Sequence, residues 1–76
     1  LPTDGHLIDA RGLKCPLPVL KLEKLAESLV RGDQLNVLAT DPMAEIDVAL
    51  YCRQRGHACA MTREDDVLRF AIVIGG

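Results

Sequence analysis

The chain has 76 residues, 49% of them apolar and 26% charged, with a formal net charge of −2 and the two signs interspersed. That balance excludes an intrinsically disordered chain and gives no general attraction to nucleic acid or anionic membranes. One Tyr, one Phe and no Trp leave no base-stacking platform, and no apolar run approaches the ~20 residues that span a bilayer.

Residues 1–76 are expected to form one domain, which at this length buries about 60% of its unfolded surface. No signal-peptide pattern precedes Leu7, and the sequence opens on Leu1 rather than Met. Three cysteines do not force a disulfide framework, so free thiols in a reducing, cytoplasmic setting are expected.

In chain order, a turn at Asp4-Gly5 leads into a short strand, Leu7 to Ala10. Arg11-Gly12-Leu13-Lys14 is then the loop that delivers Cys15. From Pro16 to Arg31, Leu22, Leu25, Ala26 and Leu29 recur at helical spacing. Glu27 and Arg31 form a favourable i,i+4 pair there, with Gly32 as the C-terminal stop. Gln34 to Thr40 alternates, placing Leu35, Val37 and Ala39 on one face of a second strand. Asp41-Pro42 has the pattern of an N-cap with proline at the first helical position. A second helix follows, with Met43, Ile46, Leu50 and the stem of Arg53 as its apolar stripe, ending at Gly56. His57 to Thr62 is a third strand, Glu64-Asp65-Asp66 a polar turn, and Val67 to Ile74 a fourth strand with Leu68, Phe70, Ile72 and Ile74 on one face. The order β-α-β-α-β-β, with only two helices for four strands, favours an α+β fold, a two-layer α/β sandwich. Leu68, Phe70 and Ile72 are expected to meet Leu22, Leu25, Leu29, Ile46 and Leu50 in one core.

The chemistry concentrates at Cys15-Pro16-Leu17-Pro18. A thiol at a helix N-terminus feels the positive end of the macrodipole, and settings of that kind lower a free thiol from ~8.5 to roughly 3.5–7.5. Pro16 biases Cys15 toward the extended backbone of an N-cap residue, and neither Pro16 nor Pro18 needs an N–H in the first helical turn. The prolines also leave few free amides, so the expected lowering at Cys15 is modest. What they supply is a stiff platform presenting one sulfur to solvent. A purely structural reading makes Cys15 a helix cap, but Cys caps poorly beside Ser or Asp. Arg11 and Lys14 in the same loop favour its thiolate.

No His or acid adjacent in sequence offers Cys15 a general base, although His6 or His57 could approach in space. Cys52 is expected opposite the main stripe of the second helix and partly exposed, and Cys59 is expected as a small packing residue in a strand. The cysteines lack paired C-x₂₋₄-C spacing and the histidines lack an H-x₃₋₅-H set, so no metal or other cofactor is expected. Cys15 has no C-x-x-C partner for dithiol exchange. Asp9 is expected to bind loop amides before the cysteine turn, Asp41 to cap the second helix, and His57 to make a polar contact at a helix end.

The run Asp9-Ala10-Arg11-Gly12-Leu13-Lys14-Cys15-Pro16-Leu17-Pro18 resembles the signature of the TusA (SirA-like) family of sulfur-carrier proteins. The likeness continues through Gly32-Asp33, Asp41-Pro42, Asp47-Val48 and Cys52 to Gly56-His57, and covers nearly the whole chain. It implies a β-α-β-α-β-β sandwich with a four-stranded mixed sheet and two helices on one face. It also implies a persulfide relay. Cys15 matches the sulfur-accepting cysteine, with Asp9, Arg11, Lys14, Pro16 and Pro18 in support. Cys52 matches a second cysteine of some members, and Ala49 stands where the family often has proline. The partners implied are a donor (a cysteine desulfurase or rhodanese) and a downstream thiol acceptor protein. Relatives deliver sulfur to tRNA thiolation, molybdenum-cofactor enzymes or the oxidation of reduced sulfur compounds. Direct contact with nucleic acid is not expected, a membrane sulfur transporter is the one membrane partner considered, and the chain is expected to act as a monomer.

Two other readings compete. Gly75-Gly76 is similar to the diglycine end of ubiquitin-like sulfur carriers, but those open with a β-hairpin and need a flexible tail. Alternatively, Cys15 is the sensor of a redox-regulated interaction module, oxidised to a sulfenic acid or a mixed disulfide.

Overall fold

The computed structural model describes residues 6–75, which leaves the Asp4-Gly5 turn and Gly76 outside the described residues. The elements are β1 (His6–Ala10), α1 (Leu17–Ala26), β2 (Gln34–Ala39), α2 (Ala44–Arg55), β3 (Ala58–Glu64) and β4 (Val67–Val73). The sheet order is β1-β2-β4-β3. β1 pairs parallel to β2, with Ile8 opposite Val37 and Ala10 opposite Ala39. β4 runs antiparallel to both β2 and β3, with Phe70 opposite Val37 on one side and Met61 on the other. The α+β sandwich expected from the element order is therefore the observed one.

Strand alternation sets the core. Ile8, Ala10, Leu35, Val37, Ala39, Leu68, Phe70 and Ile72 all face the helices and are buried, while their neighbours along the strands are exposed or half-buried. The helices contribute Pro18 and Leu22 from α1 and Ala44, Val48, Tyr51 and Cys52 from α2.

The two helices depart from expectation in different ways. α1 stops at Ala26 rather than Arg31, because the N–H groups of Ser28 and Leu29 bond three residues back instead of four. The spacing of Glu27 and Arg31 is then no longer helical. Gly32, at φ 93°, belongs to the following turn, where Asp33 accepts the Val30 N–H. Leu22 is buried, whereas Leu25, Ala26 and Leu29 pack only partly against the core.

In α2 the buried stripe is Ala44, Val48, Tyr51 and Cys52, not Met43, Ile46 and Leu50, which are 51%, 60% and 48% exposed. Arg53 is likewise exposed. Apolar residues lie on both sides of this helix, so periodicity alone does not choose between them. The short side chains of Ala44, Val48 and Cys52 let the helix backbone approach the sheet, with Tyr51 as the one bulky member of the buried stripe. Cys52, expected to be partly exposed, is 1% exposed as a result. The helix runs unbroken through Ala49.

α2 ends as its Gly56 signals. Gly56 sits at φ 77°, its N–H bonds to Arg53 O, and the His57 N–H bonds to Cys52 O, the paired bonds of a Schellman cap. β4's continuation returns to this cap, where the Gly75 N–H donates to His57 Nδ1 at 3.0 Å. A Cβ on Gly75 would collide with the Gly56 carbonyl oxygen. We therefore expect Gly75→Ala to destabilise by about 1–3 kcal/mol, the usual cost of overpacking, read as a lower urea midpoint at unchanged slope. An unchanged midpoint would mean that the end of the chain is not held there. A docked Gly75 is also unlike the free tail that a ubiquitin-like carrier needs.

β3 is an edge strand that the helices do not cover. Only Met61 along it is even half-buried, and Cys59, expected as a packing residue, is exposed. The hairpin into β4 turns at Asp65-Asp66, with Asp65 in the left-handed region at φ 56°, which Asp tolerates better than most residues.

Candidate functional site

Parallel pairing of β1 and β2 places their C-terminal ends side by side, so the β1–α1 and β2–α2 loops leave the sheet at one edge. Two bonds join them and a third braces the second loop. The Gly12 N–H donates to Thr40 Oγ1 at 2.9 Å, the Cys15 N–H donates to Asp41 Oδ2 at 2.9 Å, and Asp41 Oδ1 accepts the Met43 N–H at 2.9 Å. Asp41 is therefore not the expected N-cap of α2, which begins later with Met43 at the cap position; one of its oxygens closes the turn before the helix and the other fixes the backbone of Cys15. Accepting these two amides lowers the Asp41 carboxyl below its ordinary value. Gly12, Leu13, Lys14, Thr40, Asp41 and Pro42 line a shallow cleft of about 300 Å³ between the loops.

Cys15 stands half-buried immediately before this helix entry. Pro16 occupies the cap position, and Pro18 is buried in the first turn of α1. The Leu17 N–H bonds to Lys14 O, closing the turn around the cysteine. The cap position falls one residue later than expected, on Pro16 rather than Cys15, and the electrostatics are the reverse of those expected. Partial burial and the neighbouring carboxylates of Asp47 and Asp41 push Cys15 up to about 11 rather than modestly down.

The expected cations do not offset this. Arg11 is held by Asp9 through Nε and Nη2, both at 2.8 Å, and the charge of Lys14 acts on Asp41. Asp9 also accepts the Arg11 N–H at 3.2 Å, as expected of a loop-binding carboxylate, and its bonds to Arg11 hold it down at about 2. Neither His6 nor His57 is among the groups acting on Cys15. Instead the His57 ring lies 5.7 Å from that of Tyr51 at the far end of α2. Among the described residues, no cluster of three or more His, Cys, Asp or Glu is placed to hold a metal ion.

The family model "Sulfurtransferase TusA" matches residues 6–74. The chain belongs to the TusA family. Among TusA relatives, a Neisseria meningitidis serogroup A protein that carries a provisional sulfur-carrier name is 43% identical over 71 residues, covering 93% of this chain and 95% of the relative. The sulfur carrier protein TusA of Pseudomonas putida F1 is 38% identical over 63 residues, covering 83% and 79% of the two chains. The crystal structure of a SirA-like protein from Desulfitobacterium hafniense superposes with a TM-score of 0.80 at 28% identity, over 92% of this chain and 97% of that one.

Within this TusA fold the residue that sequence reasoning missed as a participant is Asp47. It appeared there only as part of the matching pair Asp47-Val48, and nothing in its spacing from Cys15 points to a shared site. The rotation of α2 that buries Val48 brings the preceding carboxylate to the thiol. We expect Asp47→Asn to lower the pH midpoint of Cys15 alkylation by iodoacetamide, because it removes a negative charge and an acceptor that both disfavour the thiolate. The wild-type midpoint should lie well above that of a free thiol. Coinciding midpoints for the two proteins would show that Asp47 does not hold the proton.

Proposed function

We propose that the protein is a sulfur carrier that accepts sulfane sulfur on Cys15 and passes it to a partner thiol, acting as one TusA-like domain over residues 1–76 in the cytoplasm. The observation that carries this reading is Cys15 itself, a half-exposed thiol on a proline-stiffened turn at an open sheet edge. Membership of the TusA family and the sulfur-carrier names of its relatives support it.

The transfer balances as a thiol–persulfide exchange. The Cys15 sulfur attacks the outer sulfur of the donor persulfide, the donor's S–S bond breaks as a new one forms on Cys15, and the donor leaves as a thiol after taking a proton. Asp47 lies beside the Cys15 thiol, which suits its carboxylate to take up that proton in transit. Leu17, Leu20, Met43, Ile46 and Leu50 are exposed on or next to the two helices, and apolar exposure of this kind suits docking of donor and acceptor proteins.

The test is intact and peptide mass spectrometry after incubation with a cysteine desulfurase and cysteine. One additional sulfur is expected on the peptide containing Cys15, and Cys59→Ala should leave that loading nearly unchanged. Sulfur found instead on Gly76 or Cys59 would overturn the reading.

A further inference from the structure

The sulfur-transfer reading uses Cys15 alone, yet the other two cysteines are not scattered. Cys59 lies on the helix-facing side of β3, opposite Ile72 in the register with β4, and Cys52 lies on the sheet-facing side of α2. The two thiols face the same space between the helix layer and the edge strand, near enough for each to act on the other's ionisation. One member is buried and the other exposed, because the helix layer stops short of the edge strand. Both line a cavity of about 490 Å³ that also receives Glu45, Arg53, His57 and Met61, a volume within the usual range for small-molecule sites. Glu45 is paired with Arg63 at 3.0 Å, whereas Arg53 forms no ion pair among the described residues.

We propose that Cys59 and Cys52 form a second, dithiol site, which reacts with an anionic low-molecular-mass disulfide and closes to an internal disulfide. Cys59 is the entry thiol, because it is exposed while Cys52 is buried. It attacks one sulfur of the incoming disulfide, the S–S bond of that molecule breaks, and one equivalent of free thiol leaves. Cys52 then attacks the Cys59 sulfur of the mixed disulfide and displaces the second equivalent. The protein loses two electrons and two protons, and the small disulfide is reduced to two thiols. Arg53 supplies the charge that favours an anionic reagent in the cavity.

Oxidised glutathione is the probe, applied to the full folded chain at mildly alkaline pH, with trapping of free thiols and peptide mapping. The expected product is a Cys52–Cys59 cross-linked peptide lighter by two hydrogens, with far-UV circular dichroism unchanged. Cys52→Ala should stop at a lasting glutathione adduct on Cys59, and Cys59→Ala should leave Cys52 unmodified. Arg53→Glu should slow the reaction with glutathione disulfide several-fold more than the reaction with uncharged hydroxyethyl disulfide. The cross-link should also form in Cys15→Ser, so its outcome is independent of sulfur carriage at Cys15. A wild-type chain that halts at the mixed disulfide, or a Cys52 that reacts as readily in Cys59→Ala, would overturn the dithiol site. An equal effect of Arg53→Glu on both reagents would overturn the anionic specificity.

Discussion

Cys15→Ser is expected to accept no sulfur from a persulfide donor while remaining folded. The backbone bond from residue 15 to Asp41 survives the change, and a serine hydroxyl can still donate to Asp47. Stability should therefore shift by no more than about 0.5 kcal/mol, as for other substitutions that leave the core and its bonds intact. What disappears is the sulfur that, in the proposed function, forms the new S–S bond. The loss should then be complete, because that sulfur is itself the acceptor rather than an aid to another group. Persulfide loading of Cys15→Ser at the wild-type level, with native circular dichroism, would move the function to another residue.

Phe70→Ala should have the largest effect on stability. Phe70 heads the fully buried side chains by size, in a strand paired on both sides, opposite Val37 and Met61. Removing a ring from such a site costs about 3–5 kcal/mol. A 76-residue domain has roughly 4–11 kcal/mol in all at the usual 0.05–0.15 per residue, so the urea midpoint of the variant should fall by at least about a quarter, and by all of it at the low end of that range. Ile46→Ala is the informative partner. A buried isoleucine would cost about 2–5 kcal/mol, but Ile46 is turned outward from α2, and its removal should change the midpoint little. A large loss at Ile46 would return the helix to the orientation suggested by its bulky residues.

That pair of variants marks where sequence reading is strong and where it fails. The strands were legible because alternation in β2 and β4 is strict and one face is uniformly apolar. The end of α2 was legible because Gly56 is a backbone solution to an unsatisfied helix end, whereas its start was not, since Asp41-Pro42 forms a turn and the helix begins only after Met43. The face of α2 was not legible, since apolar residues occur all around it and periodicity does not choose between the two sides. The end of α1 was also missed. Its apolar spacing continues to Leu29, while the backbone tightens after Ala26 to enter the turn at Gly32. Cys59 was misread because a strand residue facing the helix layer is buried only where that layer extends.

At the candidate site, the sequence by itself determined which thiol stands at the helix entry. Cys15 between a short strand and a proline-stiffened helix entry is local information, carried by adjacent residues. The tertiary structure alone decided its charge environment and its neighbours. Asp41 and Asp47 lie far along the chain and come near the thiol only because β1 and β2 run parallel and α2 packs with its Val48 face inward. Arg11, close in sequence, is paired with Asp9 instead. Electrostatics depends on distance through space and on the partners each charge finds, and chain order fixes neither.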